Sequence, residues 1–425
     1  MNIETNYFDL SKSKQYQKII DDLLPLATDG TGFPVSNLSF LIDALNKQKR
    51  YDEAITIGKK FLTEVEKNKY AVNALCFAVY MAKILPEKKA NPITSATGKT
   101  ALWIIDHLPK NTASFVWTES FFLTVNWYFY RNDIENTKKL MRRVTAEELS
   151  TNVNTFEVND KTVTPRSDRA KYLRICFDLA MAEHDYESAL RFAEDLLHLD
   201  SKDVWYKRNK ALALIELKRH SESIALYKEI SERKKDWFIW YEMAKLSLVM
   251  NHRKEAEVYF AKAVGASRVQ SALFVWHLFV DIAAFLQENG DHTIAKKHLD
   301  YIFLSAFDDK GNKPQALLKH LNQIRFKPSE GVDPQSLIKE IRSFHSEKEF
   351  PGEKLDGTIS RINEGGKSGF ISSGNKHYFF ISKNFRGKNP KEGASVTFSL
   401  EKKTNPKTGA EENQAVNVVL TRTRD

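Results

Sequence analysis

Between residues 10 and 346 the apolar side chains recur at three- and four-residue spacing, and polar turns interrupt them at short intervals. That period predicts amphipathic helices joined in hairpins. Residues 10–28 carry it behind a Ser11 cap, and the run from Asp29 to Pro34 breaks it. The next stretch, 35–68, reads as two helices with a turn near Lys49–Tyr51. YDEAI at 51–55 recurs in kind as YESAL at 186–190, HSESI at 220–224 and HRKEAE at 252–257. The small residues in these phrases are Ala54, Ala189, Ser223 and Ala256, and the last three are 34 and 33 apart. That is the period of a stacked helix-turn-helix repeat, in which a small residue lets two helix backbones cross closely. Degenerate copies place Thr137 and Ala295 in the same role, and 70–85 with 98–108 makes a further pair. The expectation is about seven hairpins over 1–346, the last helix being 334–346 behind Asp333-Pro334. SEKEFPGEK at 346–354 then contains a polar linker, 347–353.

From 354 to 421 the period changes to two. KSGFI at 367–371 and HYFFIS at 377–382 flank Ser-Ser-Gly-Asn, which suits a hairpin. Strict alternation turns Phe370 one way with Ser368, and Tyr378 and Phe380 the same way from the neighbouring strand. Rings on an exposed face rimmed by Lys367, Lys376 and Lys383 form a stacking platform for unpaired bases. The competing reading makes the same rings barrel core.

Charge supports the first reading. The net charge is +9, yet residues 354–425 hold 9 Lys and 4 Arg against 7 acidic residues, which leaves only +3 for the other 353. A polyanion partner therefore suits the C-terminal part, and an ordinary scaffold suits the rest. Two cysteines, Cys76 and Cys176, exclude a disulfide framework and suit buried thiols in a reducing compartment. The N-terminal residues do not have the form of a signal peptide and no apolar run is long enough to span a bilayer, so the expected location is cytoplasmic.

Residues 354–420 resemble a cold-shock domain, on GTI at 357–359, Asn363, KSGFI, HYFFIS, PKEGASVTF at 390–398 and NQAVNVVL at 413–420. The resemblance implies an OB-type five-stranded barrel that binds single-stranded RNA or DNA. It implies stacking by Phe370, Tyr378 and Phe380, with Arg361, Lys367, Lys376, Lys383 and Arg386 beside them. Arg361 stands at a family tryptophan position and Ser368 at a phenylalanine. The second motif lacks the family's histidine, so a one-residue slip in register would put Phe379 on the binding face. The helical phrases resemble tetratricopeptide repeats. Trp240, Phe260 and Ala263 take that family's packing positions around Ala256, as Leu173, Ala180, Ala193 and Leu196 do around Ala189.

Other chemistry is hard to read into the chain. TSATGKT at 94–100 ends like a phosphate loop but has Ile93 where the first glycine belongs, so a polar loop into a helix is expected. The aromatic run 115–130 reads as packing between repeats. Histidines show no metal-ligand spacing, and no nucleophile–base arrangement is legible, so no catalytic residue, metal or cofactor is expected. One basic group on two first helices stands out: Arg169, Lys171, Arg174, Lys207, Arg208 and Lys210. It reads either as a concave groove for an RNA strand or acidic peptide, or as a solvated face. The expected function is a non-enzymatic adaptor that binds single-stranded nucleic acid on the barrel and a protein on the solenoid. The alternatives are a scaffold whose barrel has lost that affinity and a regulatory subunit of an enzyme supplied in trans.

Overall fold

A computed structural model describes residues 6–30, 32–87, 93–153, 155–158, 161–349, 353–386, 389–404 and 409–421. The chain divides into two compact units, Met1–Ser201 and Lys202–Asp425. The first contains α1 (Tyr7–Lys12), α2 (Tyr16–Asp29), α3 (Leu38–Lys47), α4 (Tyr51–Lys60), α5 (Leu62–Glu66), α6 (Lys69–Val79), α7 (Ser95–His107), α8 (Phe115–Phe129) and α9 (Ile134–Met141). A short hairpin, β1 (Phe156–Val158) and β2 (Lys161–Val163), precedes α10 (Asp168–Ala182) and α11 (Tyr186–Leu199). The second contains α12 (Val204–Glu216), α13 (His220–Arg233), α14 (Trp237–Val249), α15 (Arg253–Ala266), α16 (Ala272–Glu288), α17 (His292–Ser305), α18 (Gln315–Gln323), α19 (Pro334–Lys348) and a β-barrel.

The helices form tetratricopeptide-like hairpins, and six of them share one turn. The first helix ends on a left-handed residue: Lys49, Asn132, His184, Lys218, Asn251 or Gly290. The next amide then donates back across the helix end at 2.8–3.0 Å, as from Arg219 to the Leu214 carbonyl. That closure satisfies carbonyls the helix leaves open. Five residues after the left-handed residue comes the small marker, Ala54, Thr137, Ala189, Ser223, Ala256 or Ala295, and each is fully buried. Where the marker carries a hydroxyl, it is satisfied locally: Ser223 donates to the Ala211 carbonyl at 2.8 Å, and Thr137 to Asp133 at 2.7 Å.

Two expectations about the helices change. TSATGKT is not a loop, because α7 starts at Ser95 with Thr94 capping the Thr97 amide at 3.2 Å. Gly98 is there for space, since a Cβ would sit 2.2 Å from the Trp127 ring. Cys76 is buried but Cys176 only partly so, and burial pushes both thiols up to about 12. In α8, Trp117, Phe121 and Trp127 are core residues. No helix among the described residues is long and apolar enough to cross a membrane.

Two histidines are buried together between α17 and α19. His298 Nδ1 donates to the Ile294 carbonyl at 2.7 Å, which leaves its Nε2 to accept from His345 Nε2 at 2.8 Å. The bond needs one of the two facing nitrogens to stay unprotonated, so it is lost when both rings are charged. Burial lowers His298 to about 4 and drives His345 well below its ordinary value.

The barrel is made by β3 (Leu355–Ile362), β4 (Ser368–Ser373), β5 (Lys376–Ile381), β7 (Ser395–Thr404) and β8 (Glu411–Leu420). A two-residue strand, β6 (Phe385–Arg386), lies beside β8. Antiparallel pairs join β3–β4, β4–β5, β3–β7 and β7–β8, and a parallel pair between β5 and β8 closes the ring. Ile359, Ile371, Phe380, Val396, Phe398, Ala415 and Val418 form its core, which is separate from the helical cores. The linker expected at 347–353 begins later than the sequence suggests. Glu347 and Lys348 belong to the last turn of α19, and the Lys348 ammonium lies 2.9 Å from Glu257 of α15. Residues 350–352 are outside the described residues.

Candidate nucleic-acid interface

The pairing of β3, β4 and β5 decides which rings face outward. Phe370 is the direct partner of Phe379, and Gly369 of Phe380. Cross-strand partners share a face, so Phe370 and Phe379 lie together on one side and Phe380 on the other. Phe380 is 0% exposed and packs in the core, whereas Phe379 is 37% exposed. The expectation that Phe380 stacks on bases is therefore corrected: its ring fills the barrel. Gly369 opposite it makes the room, because a Cβ there would come within 2.7 Å of that ring. Tyr378 also turns inward and packs on Phe398 with centroids 5.5 Å apart.

The outer face holds a small constellation. Phe370 and Phe379 meet edge to face, with centroids 5.6 Å apart and planes at 67°. Arg361, the β3 partner of Phe370, lies with its guanidinium 5.5 Å from the Phe370 centroid. The Asn363 side-chain oxygen accepts from Arg361 at 3.0 Å, which holds the guanidinium there without neutralising it. His377 is exposed beside them, with Nδ1 2.9 Å from the Ser372 hydroxyl. Lys367 and Lys376 are exposed at the strand ends, and among the described residues neither pairs with a carboxylate. Lys383 lies in the short turn after β5, and the Arg386 side chain is outside the described residues. Rings and a guanidinium plane on a surface with unpaired cations can take stacked bases and phosphates together.

Comparison with known proteins gives fold-level likeness only. No family model matches the chain, and no curated protein does. Among solved structures it is similar to the C-terminal part of a TPR repeat-containing protein from Cytophaga hutchinsonii, at 12% identity over 66% of this chain and 98% of that one, TM-score 0.39. It is similar to a human IFIT1 dimer with PPP-AAAA at 12% identity, covering 81% and 78%, TM-score 0.39. It is also similar to pilF of Pseudomonas aeruginosa at 16% identity, covering 56% and 93%, TM-score 0.35.

The basic group on the helices looks different once side chains are placed. Its members fall on α10 and α12, which belong to different units. Arg169 donates to the Ala146 and Glu147 carbonyls at 2.8 and 3.0 Å. Lys171 lies 2.9 Å from Asp168 and 3.6 Å from Glu119, and Arg174 3.0 Å from Asp178. Lys207 pairs with Glu229. Arg208 binds Glu242 with both arms of its fork, and Tyr227 donates to the same carboxylate at 2.9 Å. Lys210 acts on Glu222. Half-buried cations need partners, and the hairpins supply them. Of the two readings the sequence left open for this group, these pairings agree better with a solvated helix face than with a groove.

Sequence reasoning missed a groove in the first unit. About 920 Å³ is lined by Phe8, Phe40, Tyr51, Tyr70 and Phe77, with Lys12, Lys47 and Asp43 among the polar residues at it. Tyr70 and Phe77 are exposed there, yet nothing in their spacing separates them from core residues.

Proposed function

We propose that this chain is a non-enzymatic adaptor whose barrel binds single-stranded nucleic acid, RNA before DNA. The observation that carries the reading is the Arg361–Phe370–Phe379 cluster on an outward strand face, flanked by lysines that pair with no carboxylate among the described residues. An unpaired base offers a π-face to such a cluster, whereas a duplex keeps its bases stacked inside. The ring order β3-β4-β5-β8-β7 also suits the OB-type barrel of the cold-shock resemblance. The helical hairpins take a protein or peptide partner, for which the apolar groove of the first unit offers a place. Unpaired thiols suit a reducing cytoplasm.

A second reading has one observation behind it. The barrel shares a compact unit with α12–α19, and Lys262 of α15 reaches Glu401 of β7 at 4.0 Å. A barrel kept only to brace the helices would show those contacts. It would not need an exposed Phe379 beside an outward-facing Phe370, with lysines near them that pair with no carboxylate among the described residues. Fluorescence anisotropy with a labelled oligo-uridine strand, free and annealed to its complement, separates the two. The adaptor reading expects the free strand to bind more tightly. Equal affinity, or none for either, would favour the brace.

A further inference from the structure

The outer row of the barrel does not stop at its aromatic pair. Arg361 pairs with Phe370, Phe370 with Phe379, Phe379 with Gln414, and Gln414 with Glu401. One register line therefore crosses β3, β4, β5, β8 and β7 on the outside of the barrel. The alternation agrees, because their neighbours Phe380 and Ala415 are fully buried. Adjacent strands are about 4.8 Å apart, so the line is roughly 19 Å long.

Its far end enters a cleft. A space of about 930 Å³ lies between the barrel and α13–α15, and Glu401 is in its wall. The wall carries five lysines, Lys228, Lys235, Lys262, Lys402 and Lys403, against three glutamates, so the lining is net positive. It also carries a ring pair: Trp240 and Tyr259 lie nearly parallel, with planes at 18° and centroids 6.1 Å apart. Lys262 lies 4.9 Å from the Trp240 centroid. Glu401 is shared between Lys403 at 2.9 Å and Lys262 at 4.0 Å. Lys235 is held below the ordinary lysine value, first by burial and then by Lys403; Glu401 opposes the fall, and Lys383 and Lys262 add to it. Cations are thus crowded here beyond what the local carboxylates balance, as at a site awaiting an anion.

We infer that the cleft between the barrel and α13–α15 is the second half of the single-strand site, taking the phosphates of a strand that leaves the aromatic face past Phe379. The inference rests on the proposed function, and it adds helix residues to a site otherwise confined to the barrel. Lys235, Lys262 and Lys403 contact phosphate, and Lys383 lies between the two halves. Glu401 marks the path by competing with phosphate for the same lysines. Long strands therefore use the cleft, and strands just long enough for the aromatic face do not.

The test uses the full chain with labelled oligo-uridine of 3 and 16 nucleotides, the shorter spanning only the Arg361–Phe379 part of the row, titrated by anisotropy at several salt concentrations. Lys235→Gln with Lys403→Gln should weaken the 16-mer roughly tenfold near physiological salt and lower its log–log salt slope by about 1.4, at about 0.7 per lost phosphate contact. The 3-mer should be unchanged. Glu401→Gln should act in the opposite direction, tightening the 16-mer a few-fold and leaving the 3-mer alone, and a folding defect would not do that. Thermal melting verifies that each variant is folded. An unchanged 16-mer in the lysine variant, or an equal loss on both lengths, would overturn the cleft path while leaving the aromatic face standing. Failure of both oligonucleotides to bind wild-type protein would overturn the face and the cleft together.

Discussion

Two sets of basic residues in this chain look alike in sequence and differ in structure. On α12, Lys207 and Arg208 are spent on Glu229 and Glu242, and Arg208 also lies over the Phe238 ring at 5.4 Å. On the barrel, Lys367 and Lys376 pair with no carboxylate among the described residues, and Arg361 is held by a neutral asparagine. The first set holds hairpins together, and the second is available to a ligand. Counting charges along a chain therefore says less than asking which carboxylate each cation reaches.

The largest effect that would sharpen this contrast is on stability. Arg208→Ala leaves Glu242, itself mostly buried, facing Tyr227 without its cation. Breaking such a pair on one side should cost about 3 kcal/mol in urea unfolding, with oligonucleotide affinity unchanged. A loss of binding without a loss of stability would put α12 in the ligand path and erase the distinction.

Acid provides the next test. Because the folded value of His298 lies near 4, below the ordinary 6.5, the unfolded chain takes up the proton first. Stability is thus retained above about pH 6.5 and lost as the pH falls toward 4. This ring alone should contribute roughly 2 kcal/mol of loss between pH 7 and 5. His298→Gln should flatten that part of the profile, whereas Phe379→Ala on the barrel surface should leave it as steep as in wild type. A profile just as steep without His298 would show that the buried pair does not govern it.

The smallest effect compares the two sets directly. Lys367→Gln should lower the salt slope of single-strand binding by about 0.7, and Lys207→Gln should leave it unchanged. Equal slopes in the two variants would remove Lys367 from the phosphate path.

The repeats were legible for a physical reason. Close helix crossing tolerates only a small residue at one position, and Ala189, Ser223 and Ala256 show that position at nearly constant spacing. The shared turn was not legible, because Lys49, His184 and Lys218 adopt left-handed backbone where glycine or asparagine would have announced it. Register in the barrel was ambiguous, since Tyr378-Phe379-Phe380 fits either phase of a strand. Gly369 was the available clue, as a residue without a side chain opposite Phe380 signals an inward ring. The neutralised α12 cations also had a readable trace: Glu242 lies 34 residues after Arg208, one repeat away. The barrel's row into the helical cleft depends on β5–β8 pairing and on how the barrel meets α13–α15, which no local pattern encodes.

Base binding by the barrel depends most on the outward ring pair. Anisotropy of a labelled oligo-uridine strand, measured with wild type, Phe370→Ala and Phe379→Ala across several salt concentrations, tests it most directly. Each substitution should weaken binding by about 1–3 kcal/mol, or roughly 5- to 150-fold, with the salt slope nearly unchanged. Wild-type affinity in both variants, with the barrel still folded by circular dichroism, would contradict the claim that these rings bind bases.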